Sequence, residues 1–153
     1  MPPEQPADAE PAVRAEVSYR AAVPADADAV LAFWATAAED SDRPPDSPDA
    51  VLRLIERDPS ALILALDNDL IVGSIIVGWD GWRCHLYRLA VAPTHRRRGI
   101  ARTLIAHAEQ RFTSYGGTRA DAMVLDTNTD AHPTWQTTGY TPQPNWSRWV
   151  KPL

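Results

Sequence analysis

The chain has 153 residues, a length that suits one globular domain with a single sizeable core. Its formal charge of -5, from 20 acidic against 15 basic residues, excludes a general nucleic-acid binder, which needs a broad positive footprint. A single cysteine, Cys84, rules out an internal disulfide and a cysteine-based metal cluster, and no run approaches the ~20 apolar residues of a membrane span.

Residues 1–16, "MPPEQPADAEPAVRAE", are rich in Pro, Ala and Glu and lack the apolar core of a signal peptide. They are expected to stay disordered ahead of one domain over 17–153, with a cytoplasmic location as the default. "EVSYRAAV" predicts a first strand. Pro24 suits a first helical turn, and Ala27, Val30, Leu31, Trp34, Ala35 and Ala38 then recur at helical spacing. The acidic, proline-rich "EDSDRPPD" ends that helix and is either a lid or a connector. Ser47 reads as an N-cap with Pro48 behind it, opening a second helix through Val51, Leu52, Leu54 and Ile55.

"ALILALDNDLIVGSIIVGWDGW" reads as two strands joined by a tight turn at Asp67-Asn68-Asp69. Gly73 and Gly78 inside the second strand mark bulges or close backbone approach. Past Asp80-Gly81, "CHLYRLAVA" is the third strand of an antiparallel meander and ends before Pro93. The next helix buries Ala101, Leu104, Ile105, Ala108 and Phe112, turns Arg102, Glu109, Gln110 and Arg111 outward, and stops at Gly116-Gly117. "ADAMVLDT" is a further strand, "TDAHPTWQTT" a short helix ended by Gly139, and "YTPQPNWSRWVKPL" supplies one or two closing strands. The order β-α-α-β-β-β-α-β-α-β defines an α/β fold: a mixed, mostly antiparallel twisted sheet with helices on both faces.

"LAVAPTHRRRGIARTLI", Leu89 to Ile105, carries the chemistry. It runs strand, short loop, glycine, helix start. The first helical amides lack carbonyl partners, and the macrodipole adds about half a positive charge there. Gly99 permits close backbone approach, Ala101 keeps the surface low, and Arg96, Arg97, Arg98 and Arg102 surround it with positive charge. A phosphate or pyrophosphate fits that arrangement; a solvated basic loop ahead of an ordinary helix is the alternative. The stretch is neither a Walker A loop nor a dinucleotide fingerprint.

"RRRGIA" at Arg96–Ala101 resembles the Arg/Gln-x-x-Gly-x-Gly/Ala pyrophosphate loop of the GCN5-related N-acetyltransferases. "LAV" at Leu89–Val91 and Pro93 lie where that family has its preceding strand and proline. "NTDAHPTWQTTGY" is similar to a second family segment, with Asn128, Ala131, Gly139 and Tyr140 in matching places. The "GWDG" turn and the strand order resemble the bacterial branch, and the likeness covers about residues 17–150.

The resemblance implies acetyl-CoA as co-substrate, no metal, and transfer of the acetyl group to a primary amine by direct attack in a ternary complex. It implies that the fourth strand splays from the fifth, and that the backbone of Leu89, Ala90 and Val91 binds the pantetheine arm in that gap like an added strand. The amides of Arg97, Arg98, Gly99, Ile100, Ala101 and Arg102 would take the pyrophosphate beside Arg96, and the Asn128 side chain would bond the arm. Many members keep a tyrosine that protonates the leaving thiolate; here that position is Trp135. Indole is no useful acid, so Trp135 is expected against the cofactor without acid chemistry, and Tyr140 in the core.

The acceptor must lose a proton before it attacks. In the histone-acetyltransferase branch a Glu lies eleven residues before the pyrophosphate loop; the matching residue here is His85, and an imidazole can serve. Strand alternation predicts His85 on one face with Tyr87, Leu89 and Val91, and Cys84 on the other, which argues against a covalent route through Cys84. Asp80, Glu39 and Asp40 are rival bases, His95 can add charge beside the phosphate, and His107 reads as solvated. Trp79, Trp82, Trp146 and Trp149 pack a core or a subunit interface, or wall an amine site. The acceptor is a small molecule or a protein amine, with neither nucleic acid nor membrane as partner; a homodimer is compatible. The alternative function is a catalytically silent acyl-CoA-binding or regulatory module, which the missing tyrosine keeps open.

Overall fold

A computed structural model describes residues 16–37 and 43–153. The predicted disordered tail, apart from Glu16, lies outside the described residues, as do the rival bases Glu39 and Asp40. The strands are β1 (Ser18–Ala21), β2 (Leu62–Asp67), β3 (Leu70–Trp79), β4 (Cys84–Val91) and β5 (Ala120–Ala122). The helices are α1 (Ala27–Ala37), α2 (Pro48–Arg57), α3 (Ile100–Ser114) and α4 (His132–Thr137). The strands form one sheet in the order β1-β2-β3-β4-β5, antiparallel except for the parallel β4–β5 pair that α3 connects.

Local chemistry sets the element ends. The Ser47 hydroxyl accepts the Ala50 N–H at 3.1 Å, with Pro48 in the position where no amide is needed. At the far end of α3, the Gly116 N–H reaches Thr113 O at 3.0 Å and the Gly117 N–H reaches Phe112 O at 2.9 Å. That is a Schellman cap, and the Gly116 φ of +83° is the left-handed conformation it requires.

Two apolar clusters sandwich the sheet. On one face Val30, Phe33 and Trp34 of α1 and Val51 and Ile55 of α2 pack on Leu62, Leu64 and Ile76. On the other, Ile100, Leu104, Ile105, Ala108 and Phe112 of α3 pack on Val72, Ile75, Val77 and Leu86. The strand between them, β3, is buried from Ile71 to Val77, which is why it reads as a continuous apolar run. Gly73 lets α3 settle on it: a Cβ there would lie 2.9 Å from Ile100 Cγ2.

Several expectations need correction. Phe33 and Ala37 are buried in α1, while Ala35 is exposed. Arg111 does not face outward. Its guanidinium donates to Val77 O at 2.7 Å and to Asp58 Oδ1 at 2.5 Å, joining α3 to β3 and to the end of α2. Strand β5 is three residues long. Residues 141–153 form no strand; Pro142 and Pro144 take two donors out of any ladder there, and Trp146 and Trp149 stand in solvent.

Candidate active site

The parallel pairing of β4 with β5 stops early. Cys84, His85 and Leu86 face Ala120, Asp121 and Ala122, and there β5 ends while β4 runs on to Val91. From Tyr87 to Val91 the strand keeps β3 on one side and has an open edge on the other. Leu89, Ala90 and Val91 lie on this stretch of β4 that β5 leaves unpaired.

The open edge leads straight into the arginine loop. A short 3-10 turn, Pro93–His95, connects β4 to residues Arg96–Gly99, all of them exposed. Arg97 and Gly99 take left-handed conformations, with φ of 61° and 77°. Helix α3 starts without a side-chain cap among the described residues, and the Thr103 N–H donates to Gly99 O at 3.0 Å. The amides of Ile100, Ala101 and Arg102 lie ahead of that bond, at the positive end of the helix. The Ile100 side chain is buried, so Ile100 can meet a ligand only through its backbone. His95 is not a free cation beside this loop: its ring nitrogens contact Asp67 Oδ2 and Thr94 Oγ1, each at 2.8 Å, and fasten the turn to the β2–β3 hairpin.

His85 stands where the sheet is still closed, at the last turns of pairing before the gap. Its Nδ1 contacts Asp121 Oδ1, directly across the β4–β5 register. The His85 ring lies 5.5 Å from that of Tyr87, and Tyr87 covers Gly78, where an added Cβ would be 3.2 Å from the Tyr87 ring. The Nδ1 contact leaves Nε2 as the ring nitrogen available to another molecule. Sequence reasoning missed Asp121. The one signal was a carboxylate inside an otherwise apolar strand, "ADAMVL".

The predicted face of His85 is half right. His85 and Tyr87 share a face, but Leu89 and Val91 pack with the α3 cluster, alongside Cys84 and Leu86. A bulge is the cause. Ile76 pairs with Tyr87 and Ser74 with Ala90, so Arg88 and Leu89 together oppose only Ile75. Arg88, with a φ of 52°, absorbs the extra residue and reverses the alternation beyond it.

Among the rival groups, Asp80 caps its own turn. Its carboxylate accepts the Arg83 and Trp82 N–H groups at 2.7 and 2.8 Å, which hold its pKa below the usual carboxylate value and make it a poor base. The Cys84 thiol is buried and desolvation raises its pKa, in line with an inert core cysteine. His107 is exposed beside Tyr19.

Asn128 is half-buried in the turn after β5, its N–H bonded to Leu125 O at 3.0 Å. Trp135 is buried, edge-on to Tyr140 with centroids 5.0 Å apart. The Tyr140 hydroxyl donates to Glu109 Oε1 at 3.1 Å. Burial and that carboxylate push the Tyr140 pKa up, so this tyrosine is no ready proton donor either. Trp79 stacks on Tyr115, whereas Trp82 is exposed.

Among the described residues no helix is long and apolar enough to cross a membrane, and no group of three or more His, Cys, Asp or Glu is placed to hold a metal ion. The model of the acetyltransferase (GNAT) family matches residues 28–140, and the chain belongs to that family. An acetyltransferase of Pectobacterium atrosepticum is 36% identical over 104 residues, 67% of this chain and 72% of its own length. An acetyltransferase of Yersinia pestis is 36% identical over 87 residues, 56% of this chain and 62% of its own. The solved structure of Ard1 from Thermoplasma volcanium matches with a TM-score of 0.71 over 82% of each chain at 17% identity, a likeness of fold. The enzyme class is thus an acetyltransferase of bacterial type.

Proposed function

We propose that the protein transfers the acetyl group of acetyl-CoA to a primary amine, by direct attack in a ternary complex at the β4–β5 gap. One observation carries this reading: a single short turn and loop join the unpaired edge of β4 to the uncapped, arginine-flanked start of α3. An extended arm with amides can add to the first as a strand does, and a pyrophosphate fits the second.

In this reading Leu89, Ala90 and Val91 hold the pantetheine arm through their backbone. The amides of Arg97 to Arg102 hold the pyrophosphate, with Arg96 adding charge, and Asn128 bonds the arm from the other side of the gap. Trp135 supports that side from within the core, beneath the cofactor. Acetyl-CoA supplies the activated acetyl group. His85 does the proton work: with Nδ1–H donated to Asp121, its Nε2 lone pair takes the proton of the incoming ammonium. The carboxylate fixes the tautomer and orients the ring, the same logic by which an Asp steadies a catalytic histidine elsewhere. We place the reaction in the cytoplasm.

The test is an acceptor panel of small amines, amino acids, aminoglycosides and peptides, read as release of free CoA thiol. Thiol release that needs both acetyl-CoA and one class of amine is expected. Tight acetyl-CoA binding with no release across the whole panel would favour the silent binding module instead.

A further inference from the structure

Ser74 is the one buried polar residue among those described, and it sits in the apolar run of β3 with no solvent exposure. A hydroxyl in such a place costs stability unless it is hydrogen-bonded. Ser74 is bonded twice. Its Oγ accepts the Trp34 Nε1–H of α1 at 2.9 Å and donates to the Arg88 carbonyl at 2.9 Å. Arg88 is the left-handed residue of the β4 bulge. A non-glycine residue in that conformation is strained by roughly 1–2 kcal/mol, so something must hold it there.

The Arg88 side chain is held too. Its guanidinium donates to Asp46 Oδ1 at 2.5 Å and lies 5.2 Å over the Trp34 ring. Trp34 therefore touches both ends of one residue: the carbonyl through Ser74, the cation through its own ring.

We infer that Trp34 and Ser74 are positioning residues, which aim the Leu89 amide into the β4–β5 gap by fixing the Arg88 carbonyl. In a planar trans peptide the C=O and the following N–H point in opposite directions. With the Arg88 carbonyl turned onto Ser74, the Leu89 N–H is directed away from Ser74, at the part of the strand that β5 leaves open. The inference rests on the acetyl-CoA reading above, since it is the cofactor arm that this amide would meet.

The experiment compares two ligands by calorimetry: acetyl-CoA, and 3′-phosphoadenosine 5′-diphosphate, the half of CoA that lacks the arm. Ser74→Ala removes the donor to Arg88, and Trp34→Phe removes the donor to Ser74 while keeping an aromatic ring. Each variant is expected to bind acetyl-CoA about five- to twentyfold more weakly and to bind the nucleotide half within about twofold of wild type. The double variant is expected to lose no more than the worse single one, because both act through one carbonyl. Unchanged acetyl-CoA affinity in a folded Ser74→Ala protein overturns the inference, and so does a parallel loss of both ligands. Wild-type protein that binds the nucleotide half but shows no gain from the arm overturns it also, while leaving the pyrophosphate site standing. Wild-type protein that binds neither overturns the acetyl-CoA reading itself.

Discussion

Strands β3 and β4 lie side by side, yet they are specified in opposite ways. Strand β3 is hydrogen-bonded on both edges, to β2 and β4, and covered on both faces, with every residue from Ile71 to Val77 buried. Strand β4 is closed only in its first half; beyond Leu86 it has one free edge, a bulge, and a half-exposed tyrosine. The closed strand leaves no place for a ligand and carries the stability. The open one gives up backbone partners that a buried strand would keep, and that edge is where a molecule with amides of its own can bind. In the proposed reading, function rests on unfinished pairing rather than on one unusual side chain.

That contrast can be broken at either strand. Ile75→Ala, in the closed one, deletes a fully buried side chain of the cluster under α3 and is expected to cost about 2–5 kcal/mol of stability, read by chemical denaturation. Acetyl-CoA affinity measured well below the unfolding midpoint should change little. His85→Ala, in β4 just before its edge opens, reverses the pattern. Turnover is expected to fall roughly tenfold to a thousandfold, about 1.4–4.1 kcal/mol of barrier, with acetyl-CoA affinity nearly unchanged. The deficit should shrink at high pH, where the amine arrives already neutral. A deficit that stays constant with pH would reassign His85 to binding or structure.

Trp135→Phe tests whether the indole belongs to the closed region or the open one. Because Trp135 is buried against Tyr140, stability should drop by about 1 kcal/mol while turnover stays within about threefold. A hundredfold loss of turnover in folded protein would show chemistry at that position. The smallest effect is far from the gap. Asp26 accepts two hydrogen bonds from Arg20, at 2.7 and 3.0 Å, and one from the Val23 amide, and the Arg20 bond lowers its pKa. A carboxyl with a depressed folded pKa stabilises above its unfolded pKa and loses that contribution as pH falls through the folded one. Asp26→Asn should therefore cost less than about 1 kcal/mol near neutrality, and the gap to wild type should close as pH drops below about 4.

How far the sequence foretold this molecule depended on the range of the forces involved. The Ser47 cap, the Gly116 stop and the uncapped start of α3 were readable because each rests on residues a few positions apart. The turn at Asp67-Asn68-Asp69 between β2 and β3 was readable for the same reason. Arg88 was not readable as a bulge: its conformation is held by Ser74 and Trp34, 14 and 54 residues earlier by number. That hidden bulge is why Leu89 and Val91 lie on the opposite face from the one alternation gives them. Arg111 looked solvent-facing on a helical wheel because its acceptors, Val77 O and Asp58, come from other elements. Asp121 became a partner of His85 only through the register of a parallel pair, which no local pattern specifies. The predicted closing strands failed at Pro142 and Pro144, where the apolar count outweighed the missing donors.

The central claim is that the open edge and the start of α3 together form an acetyl-CoA site, and Gly99 tests it most directly. A Cβ at Gly99 would meet nothing within 4 Å, so a side chain there adds only the strain of a +77° φ to an otherwise intact fold. Acetyl-CoA would be titrated calorimetrically into wild type, Gly99→Asn and Gly99→Glu. Asparagine tolerates the left-handed conformation and carries no charge; glutamate places bulk and negative charge where the pyrophosphate would lie. Wild type should bind, more weakly as salt rises; Gly99→Asn should keep part of that affinity, and Gly99→Glu should show none. Wild-type protein that fails to bind acetyl-CoA at millimolar concentration, or Gly99→Glu protein that binds it as wild type does, would contradict the account.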